Sequence, residues 1–165
     1  MGADAEVDID ARVEALGWKL PGALVMPPGV ELPFPWVNVR GSRAFVSGHA
    51  PQLPDGQLGL AGKVGRDLTL EQAYAAARLT GFAILGSLQR ELGTLNRIRS
   101  WLRVFGMVNV APGFNQTPAV INGFTDVIVE LFGPERGRHA RSAVGMAELP
   151  FDIPVEIEAE VEIVP

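Results

Sequence analysis

The stretch RHARSAVGMAELPFDIPVEIEAEVEI, residues 138–163, decides the fold. Its end, from Val155 to Ile163, alternates strictly between apolar and glutamate side chains. A period of two is typical of a strand with one buried face. Residues 139–148 have the same period and predict a second strand. Because only the short link PFDIP follows, we expect Leu149 and Val155 to lie at the same end of one sheet.

Two amphipathic helices precede these strands. Thr69 and Gln72 have the spacing of a capping box, and Gly93 is suited to end the helix that begins there. Residues 119–133 predict the second helix. The first helix carries an apolar stripe at helical spacing, formed by Leu70, Ala73, Ala77, Phe82, Ile84, Leu85 and Leu88.

Shorter elements complete the prediction. Residues 8–17 predict a short helix, and the proline-rich residues 20–35 an irregular surface segment. Strands are expected at 43–48 and within 97–110. Because each long helix has one apolar face, we expect both helices on one side of a mostly antiparallel sheet, an α+β two-layer sandwich.

Composition limits the function classes. The 165 residues fit one domain, and 47% hydrophobic with 20% charged residues is ordinary for a globular protein. Apolar runs are too short for a membrane span and the N-terminus is acidic, so we expect a cytoplasmic protein without a membrane partner. The net charge of −5 disfavours nucleic acid. With no cysteine and only two histidines, no metal site is expected.

Arg141 is a candidate anion-binding residue. It shares its strand face with Ala143 and Gly145, whose small side chains suggest open space beside a fixed positive charge. The alternative is a salt bridge to a glutamate of the last strand. The last strand carries four glutamates, Glu156, Glu158, Glu160 and Glu162. We expect any three of them to form a solvated acidic face, and a functional role for a single one stays open.

The strand ends also predict that a site with both Arg141 and Glu156 joins two subunits. Arg141 lies eight residues from the shared end of the sheet, and Glu156 lies one residue from it. At about 3.3 Å per residue, their backbones differ by about 20 Å along the strands. Side chains of one chain cannot span that distance.

Several collinear segments of residues 33–164 resemble the RidA/YjgF family, also called endoribonuclease L-PSP, in its longer branch with an N-terminal extension. They are FVSGHAP, GKVGRDLTLEQAYAAARL, NRI followed by VFGMVNVAPGF, VINGFTDVIVELFG and, most specifically, residues 138–163. The resemblance implies a chorismate-mutase-like α+β sandwich that forms a homotrimer with clefts between subunits. Residues 1–165 would then be one domain, with residues 1–32 as the extension with its short helix and residues 33–165 as the core.

The resemblance also implies an activity: typical members hydrolyse reactive 2-imino acids, or their enamine tautomers, to 2-keto acids and ammonia without a cofactor. The family's carboxylate-binding arginine falls on Arg141 and its last-strand glutamate on Glu156. The family's cysteine is replaced by Ala143, and its usual tyrosine by an apolar neighbourhood. Positions implied to bind substrate are Phe34, Trp36, Ser47, Gly48, His49, Asn122 and Ala143. For Asn122 we favour a structural role capping a nearby loop, and for His49 the satisfaction of backbone groups.

Two other functions remain open. The same cleft could bind a small carboxylate without turnover, as in a regulatory trimer. A ribonuclease or translation inhibitor is a weaker alternative, because Arg97, Arg99 and Arg103 share strand parity and would form a basic stripe.

Overall fold

A computed structural model describes residues 7–164, so residues 1–6 of the N-terminal extension and residue 165 lie outside it. Five strands form one sheet in the order β1-β2-β5-β3-β4. The elements are, in chain order, α1 (Ile9–Ala15), β1 (Val37–Arg40), β2 (Arg43–His49), α2 (Leu70–Leu92), β3 (Ile98–Asn109), α3 (Thr117–Gly137), β4 (Ala140–Met146) and β5 (Val155–Ile163), with 3-10 turns at Leu95–Arg97 and Pro150–Asp152.

The α+β sandwich is confirmed. Three of the four strand pairs are antiparallel, and β3 with β4 is the parallel pair. Helices α2 and α3 pack against each other on one face of the sheet, and the other face carries no helix within residues 7–164. Gly123 permits the close approach of the two helices, since a Cβ there would lie 2.1 Å from the carbonyl oxygen of Tyr74.

The elements with the strongest local signals form as predicted. Thr69 and Gln72 make the reciprocal capping box of α2, and Gly93 ends that helix at a φ of 81°. Strand β5 spans the predicted residues, and its apolar side chains are buried under the helices while its glutamates point away. Helix α3 is longer than predicted, continuing past a kink at Gly133. The predicted irregular segment ends at a short strand, β1, which pairs with β2.

The predicted distance of about 20 Å between Arg141 and Glu156 along the strands is wrong. Val108 pairs with both Gly145 and Val155, so β4 leaves the sheet earlier than the sequence pattern indicates. Arg141 is level with Val104, and Glu156 with Met107. The offset is therefore about 10 Å along the strands. Residues 147–154 form the connection, which turns through positive φ at two non-glycine positions.

The predicted basic stripe is also wrong. Arg97 belongs to a 3-10 turn, where its side chain donates to the carbonyl oxygens of Leu92 and Val164. Between Ile98 and Arg103 the pairing with β5 shifts twice, which breaks the alternation of side chains. The three arginines therefore do not line one face of a strand.

Candidate functional site

Arg141 lies on the helix-covered face of the sheet, at the edge strand β4, where α3 holds its guanidinium at three points. Nη1 donates to Oδ1 of Asn122 at 3.0 Å and to Oγ1 of Thr125 at 2.9 Å, and Nη2 donates to the carbonyl oxygen of Pro118 at 3.3 Å. Within residues 7–164 it makes no other hydrogen bond, so Nε and the second Nη2 hydrogen remain available. Partial burial lowers the pKa of Arg141 and nearby Asp126 raises it, but an arginine stays charged in proteins.

The open space predicted beside Arg141 does not lie over Gly145. A Cβ at Gly145 would come within 2.9 Å of a methyl group of Val110, so a neighbouring side chain already fills that position. Ala143 packs against the hydrophobic core, and its carbonyl oxygen accepts a bond from the Thr117 hydroxyl at 3.0 Å. The small residues of β4 thus serve packing, and Arg141 with its free hydrogens lies on an edge strand of the sheet.

Glu156 lies on the opposite, open face, where its carboxylate covers Gly48. A Cβ on Gly48 would be 2.1 Å from Oε1 of Glu156, so only glycine leaves room for the carboxylate in this position. Ser47 and Gly48 form a bulge in β2, since Val46 pairs with Ala159 whereas His49 pairs with Ile157. Burial raises the pKa of Glu156, and the like charge of Glu158 raises it further. A raised pKa makes this carboxylate a stronger base than an exposed glutamate.

The two candidate groups therefore cannot meet within one chain. Arg141 shares its face with Val104, which is fully buried under the helices, and Glu156 shares the other face with Met107. Two strand spacings, about 10 Å, add to the offset along the strands. The sequence led to the prediction that a site containing both residues joins two subunits. It stays a prediction, and its basis is now that the two residues occupy opposite faces of one sheet.

His49, Trp36 and Phe34 form an aromatic group beside α2. His49 is 4% exposed, with Nδ1 2.6 Å from the carbonyl oxygen of Ser47 and Nε2 2.8 Å from the hydroxyl of Ser87. The Trp36 ring covers it at a centroid distance of 4.9 Å, and exposed Phe34 packs edge-on against Trp36. The His49 side chain thus satisfies a backbone group, while the Ser47 hydroxyl donates to the carbonyl oxygen of Pro35.

His49 should make folding sensitive to acid. Burial is the main cause that lowers the pKa of His49 from 6.5 to about 4, and the charge of Arg90 adds to it, while the hydrogen bond to the Ser47 carbonyl oxygen acts in the opposite direction. Neutral His49 contributes fully to the free energy of unfolding above pH 6.5. This contribution is lost as the pH falls towards 4, because the unfolded chain then binds the proton more readily than the folded chain. Between pH 7 and pH 4, we expect the free energy of unfolding of the wild type to fall by about 3 kcal/mol more than that of His49→Gln. Urea titrations at both pH values measure this, and equal losses would contradict it.

Two residues that the sequence did not single out complete the surroundings of Arg141. Thr125 receives one of its hydrogen bonds, and the same hydroxyl lies 3.1 Å from Nε2 of His139. The only sequence signals are spacings: Asn122 and Thr125 are three residues apart on a helix, and His139 and Arg141 two apart near the start of a strand. The Asn122 side chain accepts from Arg141, and it caps no loop within the described residues. No cluster of three potential metal ligands occurs within residues 7–164.

Comparisons with known proteins agree with this fold. Residues 10–155 match a family model described as "YjgF/chorismate mutase-like, putative endoribonuclease". The chain belongs to the YjgF family. Protein TCP17 of Trypanosoma cruzi is 36% identical to it over 165 residues, which is 99% of both chains.

Two solved structures are similar in fold and sequence to this YjgF family member. Protein Atu1372 of Agrobacterium tumefaciens, whose function is unknown, has 38% sequence identity and a TM-score of 0.84, over 94% of this chain and 92% of that one. A Shewanella oneidensis protein with the same endoribonuclease label has 29% identity and a TM-score of 0.84, over 95% and 100% of the two chains. No helix within residues 7–164 of the YjgF chain is long and apolar enough to span a membrane.

Proposed function

We propose that this YjgF family protein hydrolyses 2-imino acids, or their enamine tautomers, to 2-keto acids and ammonia. The observation that carries the proposal is Arg141, whose guanidinium is fixed by three bonds to α3 while Nε and one Nη2 hydrogen stay free. Two adjacent N–H groups of one guanidinium match the two oxygens of a carboxylate. A substrate held in this way presents its C=N carbon at a defined place beside β4.

The chemical step needs a base and one water molecule. A water oxygen bonds to the C=N carbon of the protonated imine, the π electrons move to nitrogen and Glu156 accepts a proton from that water, which gives a neutral carbinolamine. Glu156 returns this proton to the nitrogen, and the C–N bond breaks with its electron pair on nitrogen. The hydroxyl proton passes through the Glu156 carboxylate to the departing ammonia, so the products are a 2-keto acid and an ammonium ion. The raised pKa of Glu156 supports these proton transfers. Because such imines hydrolyse readily in water, positioning supplies much of the acceleration.

The active cleft lies between two copies of the chain, and the assembly is a homotrimer. Arg141 and Glu156 occupy opposite faces of one sheet, so one copy supplies the arginine and another the glutamate. The open face offers a surface for association, with Phe45 41% exposed beside a shallow depression. Arg103 and the glutamates Glu158 and Glu160 line that depression and give it charges of both signs.

Binding of a small carboxylate without turnover is the alternative, and it uses Arg141 in the same way. It makes no use of Glu156, so the two functions differ in the role of one carboxylate. A ribonuclease has less support, because Arg97 is engaged with backbone carbonyls and the net charge is −5.

The test supplies 2-iminopropanoate, formed in situ by an amino-acid oxidase, and measures how much survives to react with semicarbazide. We expect the protein to shorten the imine lifetime, and light scattering to give a mass three times that of the 17.7 kDa chain. An unchanged imine lifetime with calorimetric binding of pyruvate would favour the binding function. Salt-sensitive RNA binding, weakened by Arg103→Ala, would favour the nucleic-acid alternative.

A further inference from the structure

Three consecutive hydrogen bonds link Arg141 to the backbone through Thr125 and His139, and each of them has a definite donor and acceptor. The carbonyl oxygen of Gly137 lies 2.8 Å from Nδ1 of His139, and a carbonyl can only accept, so Nδ1 carries the hydrogen. Arginine can only donate, so Oγ1 of Thr125 accepts from Arg141. The remaining Thr125 hydrogen therefore goes to Nε2 of neutral His139. Burial and the charge of Arg141 lower the pKa of His139, which agrees with a neutral ring.

The Thr125 hydroxyl has different hydrogen-bond partners from another helical threonine hydroxyl of this chain. A helical threonine can turn its hydroxyl back to the carbonyl oxygen four residues earlier. Thr80 in α2 does so, with its Oγ1 bonded to the carbonyl oxygen of Ala76 at 3.0 Å. Thr125 instead points at the strand, between the imidazole and the guanidinium. His139 thus accepts the single hydroxyl hydrogen of Thr125, while the hydroxyl oxygen accepts from Arg141.

The three groups of α3 that receive Arg141 lie on one side of the helix. Pro118, Asn122 and Thr125 are spaced by four and three residues, which places them in one row. Asn122 and Thr125 together occupy both hydrogens of Nη1. Losing either bond leaves the guanidinium held at two points and less restrained in its orientation. Among residues 7–164, Thr125 is the one of the two that another side chain, His139, holds in turn.

We infer that Thr125 and His139 are positioning residues that hold the Arg141 guanidinium in the orientation that receives a substrate carboxylate. The inference rests on the proposed function for its consequence in binding, but its structural content does not depend on activity. Neither residue touches the substrate in this arrangement. Their effect is to keep Nε and the free Nη2 hydrogen pointing in one direction, which lowers the entropy cost of binding.

The test compares Thr125→Val, which removes the hydroxyl, with Thr125→Ser, which retains it. The first readout is the order of the Arg141 side chain, from ¹⁵N relaxation of its Nε–H group, and the second is the split between KM and kcat for 2-iminopropanoate. We expect Thr125→Val to make the Nε–H group mobile and raise KM about fivefold with little change in kcat. Thr125→Ser should restore both, and His139→Ala should resemble Thr125→Val. Thr80→Val is the matched control, because it removes a buried helical hydroxyl elsewhere.

Each outcome decides the inference. An Arg141 Nε–H group as ordered in Thr125→Val as in the wild type would overturn it, whatever the activity. Equal mobility in Thr125→Val and Thr80→Val would overturn it too, since the effect would then be general loosening. If the wild type neither hydrolyses the imine nor binds pyruvate while Arg141 loses order only in the Thr125 and His139 variants, the proposed function fails and the positioning role stands.

Discussion

Arg141→Ala is expected to lower kcat/KM for 2-iminopropanoate about 100-fold. Two charge-assisted hydrogen bonds to a carboxylate are lost at once, and a factor of 100 corresponds to about 2.7 kcal/mol, which is within the range for such bonds. Most of the effect should appear in KM, because the carboxylate binds equally in the ground and transition states. Arg141→Lys should recover only part of it, since an ammonium group lacks the planar fork.

The control for this variant is Arg12→Ala, which removes an exposed arginine from α1. Its kcat/KM should equal that of the wild type, and circular dichroism should show that both variants are folded. A wild-type rate in Arg141→Ala would remove this residue from the site. A loss as large in Arg12→Ala would mean that charge attracts the substrate from a distance without a specific contact.

Local patterns predicted the elements because their causes are local. The alternation of Val155–Ile163 reflects one buried and one open face, and the capping box at Thr69 uses groups three residues apart. Both signals survive in the folded chain because tertiary packing agrees with them. The length of β4 was overestimated since alternation continues to Glu148, whereas pairing with β3 stops at Met146.

The geometry of the candidate site depended on pairings that no local pattern contains. Arg141 was expected beside open space, but Val110, which is distant in sequence, fills the position next to Gly145. The bulge at Ser47 and Gly48 arises from the register between β2 and β5. Thr125 meets His139 only because α3 folds back over the start of β4. Residue identities could therefore be proposed from sequence, and their faces and partners could not.

Glu156→Gln should have its main effect on kcat and so distinguish hydrolysis from binding alone. An amide cannot accept the proton from water, and general-base catalysis contributes about 100-fold or more. We expect kcat to fall by about that factor while the calorimetric Kd for pyruvate stays within twofold. The matched control is Glu162→Gln, on the same strand and face, where the carboxylate accepts from the hydroxyl of Ser100. An unchanged kcat in Glu156→Gln would remove Glu156 from the chemical step.

The pH profile gives the same prediction a second, independent readout. The base works only when it is ionised, so activity should fall as the pH drops through the raised pKa of Glu156. Glu158 is the like charge that contributes to this rise. Replacing it by glutamine in Glu158→Gln lowers the pKa of Glu156, and the acid limb of kcat should move to lower pH. A shift to higher pH would contradict the assignment of Glu156 as the base.

Gly48→Ala then tests where the Glu156 carboxylate must be, because it displaces that carboxylate without removing it. The added Cβ would lie 2.1 Å from Oε1 and 2.9 Å from Cδ, so the flexible glutamate must swing away. We expect the free energy of unfolding to change by less than about 1 kcal/mol. We expect kcat to fall at least about tenfold, because moving a catalytic group by about 1 Å lowers the rate by such factors. If Gly48→Ala kept the wild-type kcat while Glu156→Gln lost it, the carboxylate would act from another position than the one over Gly48.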